Sequence, residues 1–343
     1  MNRLKSLDIL RGLTAFAIMF YHFSIWTNKG EAHTADSFLG RIGLYGVSIF
    51  FVLSGLTMYL VYHHKMQDSK AIKSFFIKRI FRIYPLYWLA CLGSIFFLET
   101  PATNMDILWN ITGLFAFINT KSLTTGGWSI GNELVFYAFF PLLIWLSKDR
   151  KHFFLTVIWS VSIGIFFAFS LLNNTSSMTA QWLTYTNPFN QLFFFVAGIS
   201  LGKMSDSTLF FKQHKTLNFI ILFLMISLFV FYPTVGQQTN LISGINRIVF
   251  SVLSIAICYF IFTSEVELPI IIEKPLTTLG EISYGVYLIH PIIFLELRQF
   301  LANYIEIPPQ TFFVIALFVT VFISFLIYSW LEKPLIRLGK KIK

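Results

Sequence analysis

The feature that most constrains this 343-residue chain is a succession of apolar stretches. Several of them approach or exceed the roughly 18 residues that a helix needs to cross a lipid bilayer. Only 12% of the residues are charged, about half the share that water-soluble domains carry, so a solvated surface would lack polar groups to cover it. These features predict an integral membrane protein with several spans.

The spacing of the apolar stretches predicts an all-α bundle of about ten transmembrane helices that fills residues 1–343 as one membrane domain, with no appended soluble domain. The stretch 105–118 is also apolar, but Asn110 and Thr112 interrupt it, so an interfacial or re-entrant helix is expected there. The spans are expected at 7–26, 42–62, 83–98, 128–146, 153–172, 188–203, 217–233, 246–263, 282–301 and 311–331.

The basic residues predict which side each polar segment faces. Of the 26 lysines and arginines, Arg11 and Arg298 lie within expected spans and four lie on the side opposite the N-terminus, which leaves twenty on the N-terminal side. Cytoplasmic loops are enriched in lysine and arginine, so both termini are expected in the cytoplasm. The net charge of +10 therefore reflects topology, and no nucleic-acid partner is expected. The four opposite residues are Lys29, Arg41, Lys121 and Arg247.

The N-terminal segment has Arg3 and Lys5 before an apolar run, as a signal peptide does. No small-residue cleavage site follows, so an uncleaved first span is expected. Cys91 and Cys258 lie inside apolar stretches without the spacing of metal ligands, so both are expected to be packing residues and no metal site is predicted.

Three ionisable residues lie in the first span, where a charged side chain costs roughly 2.5–3.5 kcal/mol at the bilayer centre. Asp8 and Arg11 are three residues apart and can pair on one helix face. Arg11 and His22 are eleven residues apart, which places them on the same face and about 16 Å apart along the axis. The structural alternative is that Arg11 extends to the interface and His22 satisfies a backbone group.

Two more ionisable residues occur inside later spans. Glu133 follows the start of the fourth span at Trp128 by about one and a half turns, near the expected depth of His22. A carboxylate beside His22 would orient the imidazole as a general base, with a purely structural role as the alternative. His290 precedes Pro291, so it is expected to satisfy a carbonyl that the proline leaves free, with a catalytic role as the alternative.

Two clusters of a different kind lie in the second span and at the cytoplasmic opening of the third span. Arg79 and Arg82 share a helix face, and arginine forks match phosphate oxygens, so with Lys78 they predict an anion site. Ordinary cytoplasmic charges are the alternative explanation. Ser54 and Gly55 form a small-residue break that would let a ligand or another backbone come close, and close helix packing is the alternative there.

Taken in their order along the sequence, these motifs make the chain resemble the acyltransferase 3 family of membrane acyltransferases over nearly its whole length. The resemblance rests on Arg11 and His22 with ten residues between them, and on five supporting motifs. The sequence departs from the family pattern in having Ile9 where a glycine is frequent, and in lacking a second acidic residue next to Glu133. The five motifs are Phe50-Phe51-Val52-Leu53-Ser54-Gly55, Arg79 to Pro85, Trp128-Ser129 with Glu133, Phe136, Tyr137 and Pro141, Ser283-Tyr284 through His290-Pro291, and Glu332-Lys333-Pro334.

The resemblance implies transfer of an acyl group, commonly acetyl from acetyl-CoA, to a sugar hydroxyl of a surface polysaccharide or its lipid-linked precursor at the bacterial inner membrane. No tightly bound cofactor is implied, and the expected partners are acyl-CoA, a glycan acceptor and membrane lipid. The residues expected to take part are His22, Arg11 and Glu133 in catalysis, Arg79, Arg82 and Lys78 in donor binding, and Asp8, Ser54, Trp128, Ser129, Tyr137 and His290 in support.

Intramembrane charges also mark the substrate paths of transporters, so a multi-span transporter or glycan flippase is the alternative class. Such a protein is expected to have inverted repeats and helices broken at matching positions, and the sequence contains neither. A glycan polymerase or ligase is expected to have a large outer loop. The longest outer loop here, about residues 99–127, is modest.

Overall fold

The structure is a computed structural model that describes residues 5–28, 30–118, 120–205, 209–264 and 268–342. Arg3, Lys29 and Lys343, which enter the count of basic residues, lie outside the described residues. Within these ranges every regular element is a helix. The α-helices are α1 Lys5–Thr27, α2 Phe38–Tyr62, α3 Ser69–Phe96, α4 Asn104–Thr112, α5 Gly127–Ser147, α6 Arg150–Phe166, α7 Trp182–Thr186, α8 Pro188–Lys203, α9 Leu209–Gln213, α10 Lys215–Phe231, α11 Thr239–Ile242, α12 Gly244–Ser264, α13 Ile270–Ala302, α14 Pro309–Ile327 and α15 Lys333–Lys341.

Seven helical segments among the described residues are long and apolar enough to cross a bilayer. They are α1, α2, α5, α6 with its π-helical end, α12, α13, and α14 together with α15. The other three expected spans coincide with α3, which carries many basic residues, and with α8 and α10, which have 16 and 17 residues and are therefore about 24–26 Å long. The chain is thus a multi-pass all-α membrane protein, as predicted.

The stretch 105–118 forms two short helices that fold against α3. At nine residues, α4 is only about 14 Å long and cannot cross a bilayer. Asn110 is fully buried and accepts a hydrogen bond of 2.7 Å from the Tyr87 hydroxyl. The Tyr84 hydroxyl donates to the Thr112 carbonyl at 2.8 Å. The polar residues that interrupt this stretch therefore attach it to α3.

Close contact between α1 and α13 sets the position of the first helix. A Cβ atom on Gly12 would lie 2.6 Å from the Gly280 nitrogen, and a Cβ atom on Gly280 would collide with the Asp8 carbonyl. Because both positions lack a side chain, the two backbones meet at this crossing. The inward face of α1 is therefore held against α13 along its length.

The second helix meets α8 in the same way. A Cβ atom on Gly55 would collide with the Phe195 carbonyl, and one on Gly198 would collide with the Val52 carbonyl. Close helix packing therefore explains Gly55, whereas its neighbour Ser54 faces a cavity. Cys91 and Cys258 are buried and free, as expected of packing residues.

Candidate functional site

A cavity of about 260 Å³ lies between α1, α2, α3, α5 and α13. Arg11, Arg79, Arg82 and Glu133 line it, and we call it the arginine cavity. Three arginines thus face one carboxylate in a space whose remaining walls are aromatic, aliphatic and hydroxyl side chains. Its other polar lining residues are Ser54, Thr57, Tyr62, Ser129, Tyr137, Ser283, Tyr284 and Tyr287.

Arg11 forms an ion pair with one carboxylate and lies in the electrostatic field of another. Its Nη1 atom lies 3.6 Å from Oδ1 of Asp8, which is the ion pair expected from their spacing. On the other side, Glu133 lies in electrostatic range of Arg11 and Arg82 and beside Tyr137 and Ser54. The hydroxyls of Ser54 and Tyr137 are 2.8 Å apart and both are buried. Arg11 is therefore a partnered cation that faces the cavity.

Arg79 differs from Arg11 because its guanidinium lies among aromatic rings. Its Cζ atom is 5.9 Å from the centre of the Tyr62 ring and 5.8 Å from that of Tyr137. Its Nε atom is buried and has no hydrogen-bond partner. A buried guanidinium nitrogen without an acceptor is costly, and an anionic oxygen of a carboxylate or phosphate would satisfy it.

A second cavity of about 410 Å³ adjoins the first at the end of the bundle where α1 begins, which we call the Lys5 end. Arg11, Thr57, Val61 and Arg82 line both cavities. The second cavity also receives Lys340 and the carboxylates of Asp8, Glu281 and Glu332. The excess of positive charge therefore lies in the arginine cavity, whereas the charges of the second cavity balance.

His22 and His290 form a pair at the opposite end of α1, which we call the Thr27 end. Nδ1 of His22 lies 2.9 Å from Nε2 of His290, and the two rings stack with their centres 5.0 Å apart. His290 is fully buried, and its Nδ1 atom lies 3.0 Å from the Val286 carbonyl oxygen. Trp26 stacks on the His22 ring at 5.3 Å.

These distances assign the protons of the neutral pair. A carbonyl oxygen only accepts hydrogen bonds, so Nδ1 of His290 carries a proton and Nε2 of His290 is an acceptor. Nδ1 of His22 must then donate to it, which leaves the lone pair on Nε2 of His22 free to take a proton. His290 thus bonds to the Val286 carbonyl, which precedes by one residue the Tyr287 carbonyl that Pro291 leaves free, and it also orients His22.

The hypothesis that Glu133 orients His22 is wrong. Both residues face the bundle interior, but Glu133 lies with Arg11 in the arginine cavity, and the hydrogen-bonding partner of His22 is His290. Matching depth along two helices leaves open how far apart their facing sides are, which is why the sequence paired the wrong residues. Arg11 and His22 do share the inward face of α1, as their spacing predicts.

Tyr287 connects the two groups of residues. Its hydroxyl lies 2.8 Å from that of Ser129 in the wall of the arginine cavity. The centre of its ring is 6.3 Å from that of His290. In the described part of the chain, the arginine cavity reaches Tyr287, and His22 and His290 lie beyond it without lining it.

Besides the two histidines, two further residues of the anticipated set lie outside these cavities. Lys78 lines neither cavity, although its neighbours Arg79 and Arg82 do. Trp128 packs against Phe51 and Trp182 with ring centres 6.2 and 5.8 Å apart, and therefore supports the start of α5. Its neighbour Ser129 is the residue that faces the cavity.

Sequence reasoning assigned no role to Glu332, although it belongs to one of the motifs. Glu332 is only 5% exposed, and its Oε1 atom is buried without a hydrogen-bond partner at the opening near Arg82. A buried acid at the end of a long apolar stretch is the signal that could have identified it, because such a group needs a partner.

Comparison of the sequence with known proteins identifies the family of the chain. The putative acetyltransferase ORF330 of Acidianus two-tailed virus is 26% identical over 82% of this chain and 80% of its own length. The exopolysaccharide production protein ExoZ of Rhizobium meliloti is 28% identical over 47% of this chain and 51% of its length. The peptidoglycan O-acetyltransferase OatA of Listeria monocytogenes is 26% identical over 84% of this chain and 49% of its length.

The chain thus spans about half the length of two of these three relatives. No solved structure matches it. The model of the acyltransferase 3 family, described as an acyltransferase domain, matches residues 4–329, which is nearly the whole chain. The chain therefore belongs to the acyltransferase 3 family of membrane enzymes that transfer acyl groups.

Proposed function

We propose that this protein is an O-acyltransferase that moves an acetyl group from cytoplasmic acetyl-CoA to a sugar hydroxyl of a surface polysaccharide or its lipid-linked precursor. The observation that supports it most is the arginine cavity, in which three arginines face one carboxylate next to a histidine pair with a free basic nitrogen. The two relatives named for exopolysaccharide production and peptidoglycan O-acetylation support the choice of a glycan acceptor.

The proposal includes an orientation in the bacterial inner membrane. The Lys5 end faces the cytoplasm, where acyl-CoA is made, and the Thr27 end faces outward, where surface glycans are assembled. Twenty basic residues on the Lys5 side against four on the other support this direction. With α3, α8 and α10 counted as spans, the chain crosses the membrane ten times.

Donor binding is the first step. The phosphates of acetyl-CoA bind to Arg79 and Arg82, where the free Nε of Arg79 provides a donor and the rings of Tyr62 and Tyr137 hold the guanidinium in place. The pantetheine arm then extends past Arg11 toward Tyr287. Tyr287 turns aside to let the thioester reach the histidine pair, because its side chain separates the cavity from His290.

Transfer of the acetyl group then uses Nε2 of His22. In the direct route, Nε2 takes the proton of the sugar hydroxyl while its oxygen attacks the thioester carbonyl carbon. The carbon–sulfur bond breaks, and the proton passes from His22 to the thiolate, which leaves as free CoA. In the alternative route, Nε2 attacks the thioester carbonyl carbon, the carbon–sulfur bond breaks, and the CoA thiolate leaves an acyl-imidazole behind. The sugar oxygen then attacks the acyl carbon, the carbon–nitrogen bond breaks, and the hydroxyl proton passes through the released imidazole to the thiolate, which leaves as free CoA.

Glu133 does not orient His22, as its depth suggested, but has a different role. It acts through Arg11, which it holds in the cavity together with Asp8. A guanidinium fixed in this way can donate hydrogen bonds to the amide carbonyl oxygens of the pantetheine arm as it extends toward Tyr287. Glu133 is therefore a positioning residue, and Arg11 is the group that touches the donor.

The function is tested by comparing surface glycan from producing cells with glycan from cells that lack the gene. Mass spectrometry is expected to show that the glycan without the protein has lost the mass of an acetyl group on its repeating unit. Purified protein in nanodiscs is expected to transfer labelled acetyl from acetyl-CoA to that glycan. Uptake of an unmodified solute into vesicles, without acetyl transfer, would instead identify a transporter.

The Arg79→Gln and Arg82→Gln variants are expected to raise the KM for acetyl-CoA by about tenfold or more each, because a charged hydrogen bond contributes roughly 1.5–3 kcal/mol. The KM for the glycan should stay the same. Steady-state kinetics in nanodiscs measure both constants. Lys73→Gln is the matched control, since Lys73 is an exposed cation of the same helix. An unchanged KM for acetyl-CoA in both arginine variants would show that the phosphates bind elsewhere.

A further inference from the structure

A separate cavity of about 420 Å³ lies at the Thr27 end of the bundle, and nothing in the mechanism above uses it. It lies between the last residue of α1, the last turns of α13 and the segment that leads into α14. Its volume falls within the range of about 300–1,000 Å³ that is usual for small-molecule sites. Its walls include Thr27, Phe294, Arg298, Leu301, Glu306 and Phe312.

This Thr27-end cavity is next to the histidine pair. Thr27 is five residues beyond His22 on α1, which is about 7.5 Å along the helix axis. The Trp26 ring, which stacks on His22, also lies 5.3 Å from the ring of Phe294, and Phe294 lines the cavity. The Trp26 ring would therefore lie between a molecule in this cavity and His22, the proposed base.

Three polar groups of the cavity are available to a ligand. Arg298 donates a hydrogen bond of 3.1 Å from Nη1 to the Trp26 carbonyl, which fixes the guanidinium while its remaining N–H groups stay exposed. The Thr27 hydroxyl is buried and has no hydrogen-bond partner. Glu306 adds an exposed carboxylate, which accepts hydrogen bonds only.

The charges and walls of the cavity favour one class of ligand. One arginine and one glutamate balance each other, so a polyanion such as CoA gains little here, in contrast to the arginine cavity. Phe294 and Phe312 provide flat apolar surface, while Arg298, Glu306 and Thr27 offer donors and acceptors. A neutral sugar ring has apolar C–H faces and adjacent hydroxyls that both donate and accept hydrogen bonds, and it matches this combination.

The geometry points to the Thr27-end cavity as the binding site for the sugar of the acceptor, with Arg298 and Glu306 as the residues that hold its hydroxyls. This inference rests on the proposed function, because it names where the second substrate of that reaction binds. It places donor and acceptor at opposite ends of α1, with His22 between the two sites. The thioester end of the donor would then reach His22 from one side and the sugar hydroxyl from the other.

The test uses Arg298→Gln and Glu306→Gln in full-length protein in nanodiscs. The acceptor probes are polysaccharide extracted from the surface of producing cells and a set of methyl glycosides. Each variant is expected to raise the acceptor KM by about tenfold or more, because it loses a charged hydrogen bond. The KM for acetyl-CoA should stay at its wild-type value. Arg298→Lys is a conservative second variant that keeps the charge but loses the fork, and a smaller effect is expected from it.

Arg150→Gln and Glu31→Gln are the matched controls, since both residues are exposed charges outside the cavities. Binding is also measured without turnover, through the change in tryptophan fluorescence that glycan causes in wild type and that Trp26→Phe removes. Glycan binding that depends on Arg298 without any acetyl transfer would support the sugar site and refute the proposed function. Equal glycan binding and acceptor KM in wild type, Arg298→Gln and Glu306→Gln would refute the sugar site, whether or not transfer occurs.

Discussion

Replacing His22 by alanine is expected to lower kcat for acetyl transfer by at least about 10²-fold, because general-base assistance usually contributes 10²–10⁴-fold. The neighbouring imidazole, His290, is fully buried on the Nδ1 side of His22, so it does not lie where Nε2 of His22 takes the proton. The donor still binds at the arginine cavity, so the KM for acetyl-CoA is expected to change little. Initial rates with labelled acetyl-CoA in nanodiscs measure both constants.

The control for this variant is His152→Ala, because His152 is exposed at the start of α6, outside both the arginine cavity and the histidine pair, with its Nδ1 2.8 Å from Oδ1 of Asp149. Both proteins are first compared by thermal stability and size-exclusion chromatography, so that a folding defect is not taken for a chemical one. A well-folded His22→Ala protein with wild-type kcat would refute the role of His22 in either route. Labelled acetyl retained on wild-type protein without acceptor would favour the acyl-imidazole route.

The sequence was sufficient for the helical architecture and for the inward face of α1. A stretch of about 18 apolar residues has few folded forms in a bilayer other than a helix, because every backbone group must be bonded internally. The ion pair of Asp8 and Arg11 depends on positions within one helix, so spacing alone predicts it. Likewise, the interruption at Asn110 predicted that α4 would not cross the bilayer.

Relations between helices could not be derived in the same way. Spacing along α1 and α5 gives the depth of His22 and Glu133, but their distance depends on which helices touch. That choice is made by contacts such as Gly12 against Gly280, which hold α1 to α13 and bring His290, not Glu133, to His22. A glycine in an apolar stretch signals close packing without naming its partner.

The position of the arginines also depended on contacts between helices. Their number and spacing predicted an anion site, and a position at the cytoplasmic opening was the simplest expectation. In the structure the second cavity, at the Lys5 end, contains three carboxylates and does not include Arg79, which lies beside Tyr62 and Tyr137 in the wall of the arginine cavity. Aromatic residues from two other helices create that position, so the local sequence of α3 does not reveal it.

His290 is expected to determine which nitrogen of His22 carries the proton. The His290→Leu variant should therefore lower kcat by about tenfold to 10³-fold. Without the acceptor on His290, Nδ1 of His22 no longer needs to carry the proton, and the ring can place it on Nε2, where it blocks the base. The loss of an orienting acceptor costs about 10⁴-fold in the serine protease triad, which sets an upper bound for a neutral acceptor. The KM values for both substrates are expected to stay unchanged.

His290→Gln separates this role from a purely structural one. A glutamine amide reaches about as far as Nε2 of the imidazole and offers an oxygen that accepts from His22, so kcat should recover in large part. Either substitution removes the imidazole bond to the Val286 carbonyl, so both lose similar stability, on the order of 1 kcal/mol. If His290 only satisfied that carbonyl, the two variants would have equal kcat per folded molecule. Nitrogen-15 spectra of labelled histidine provide the direct measure, because wild type and His290→Gln should hold the His22 proton on Nδ1, whereas His290→Leu should show it on both nitrogens.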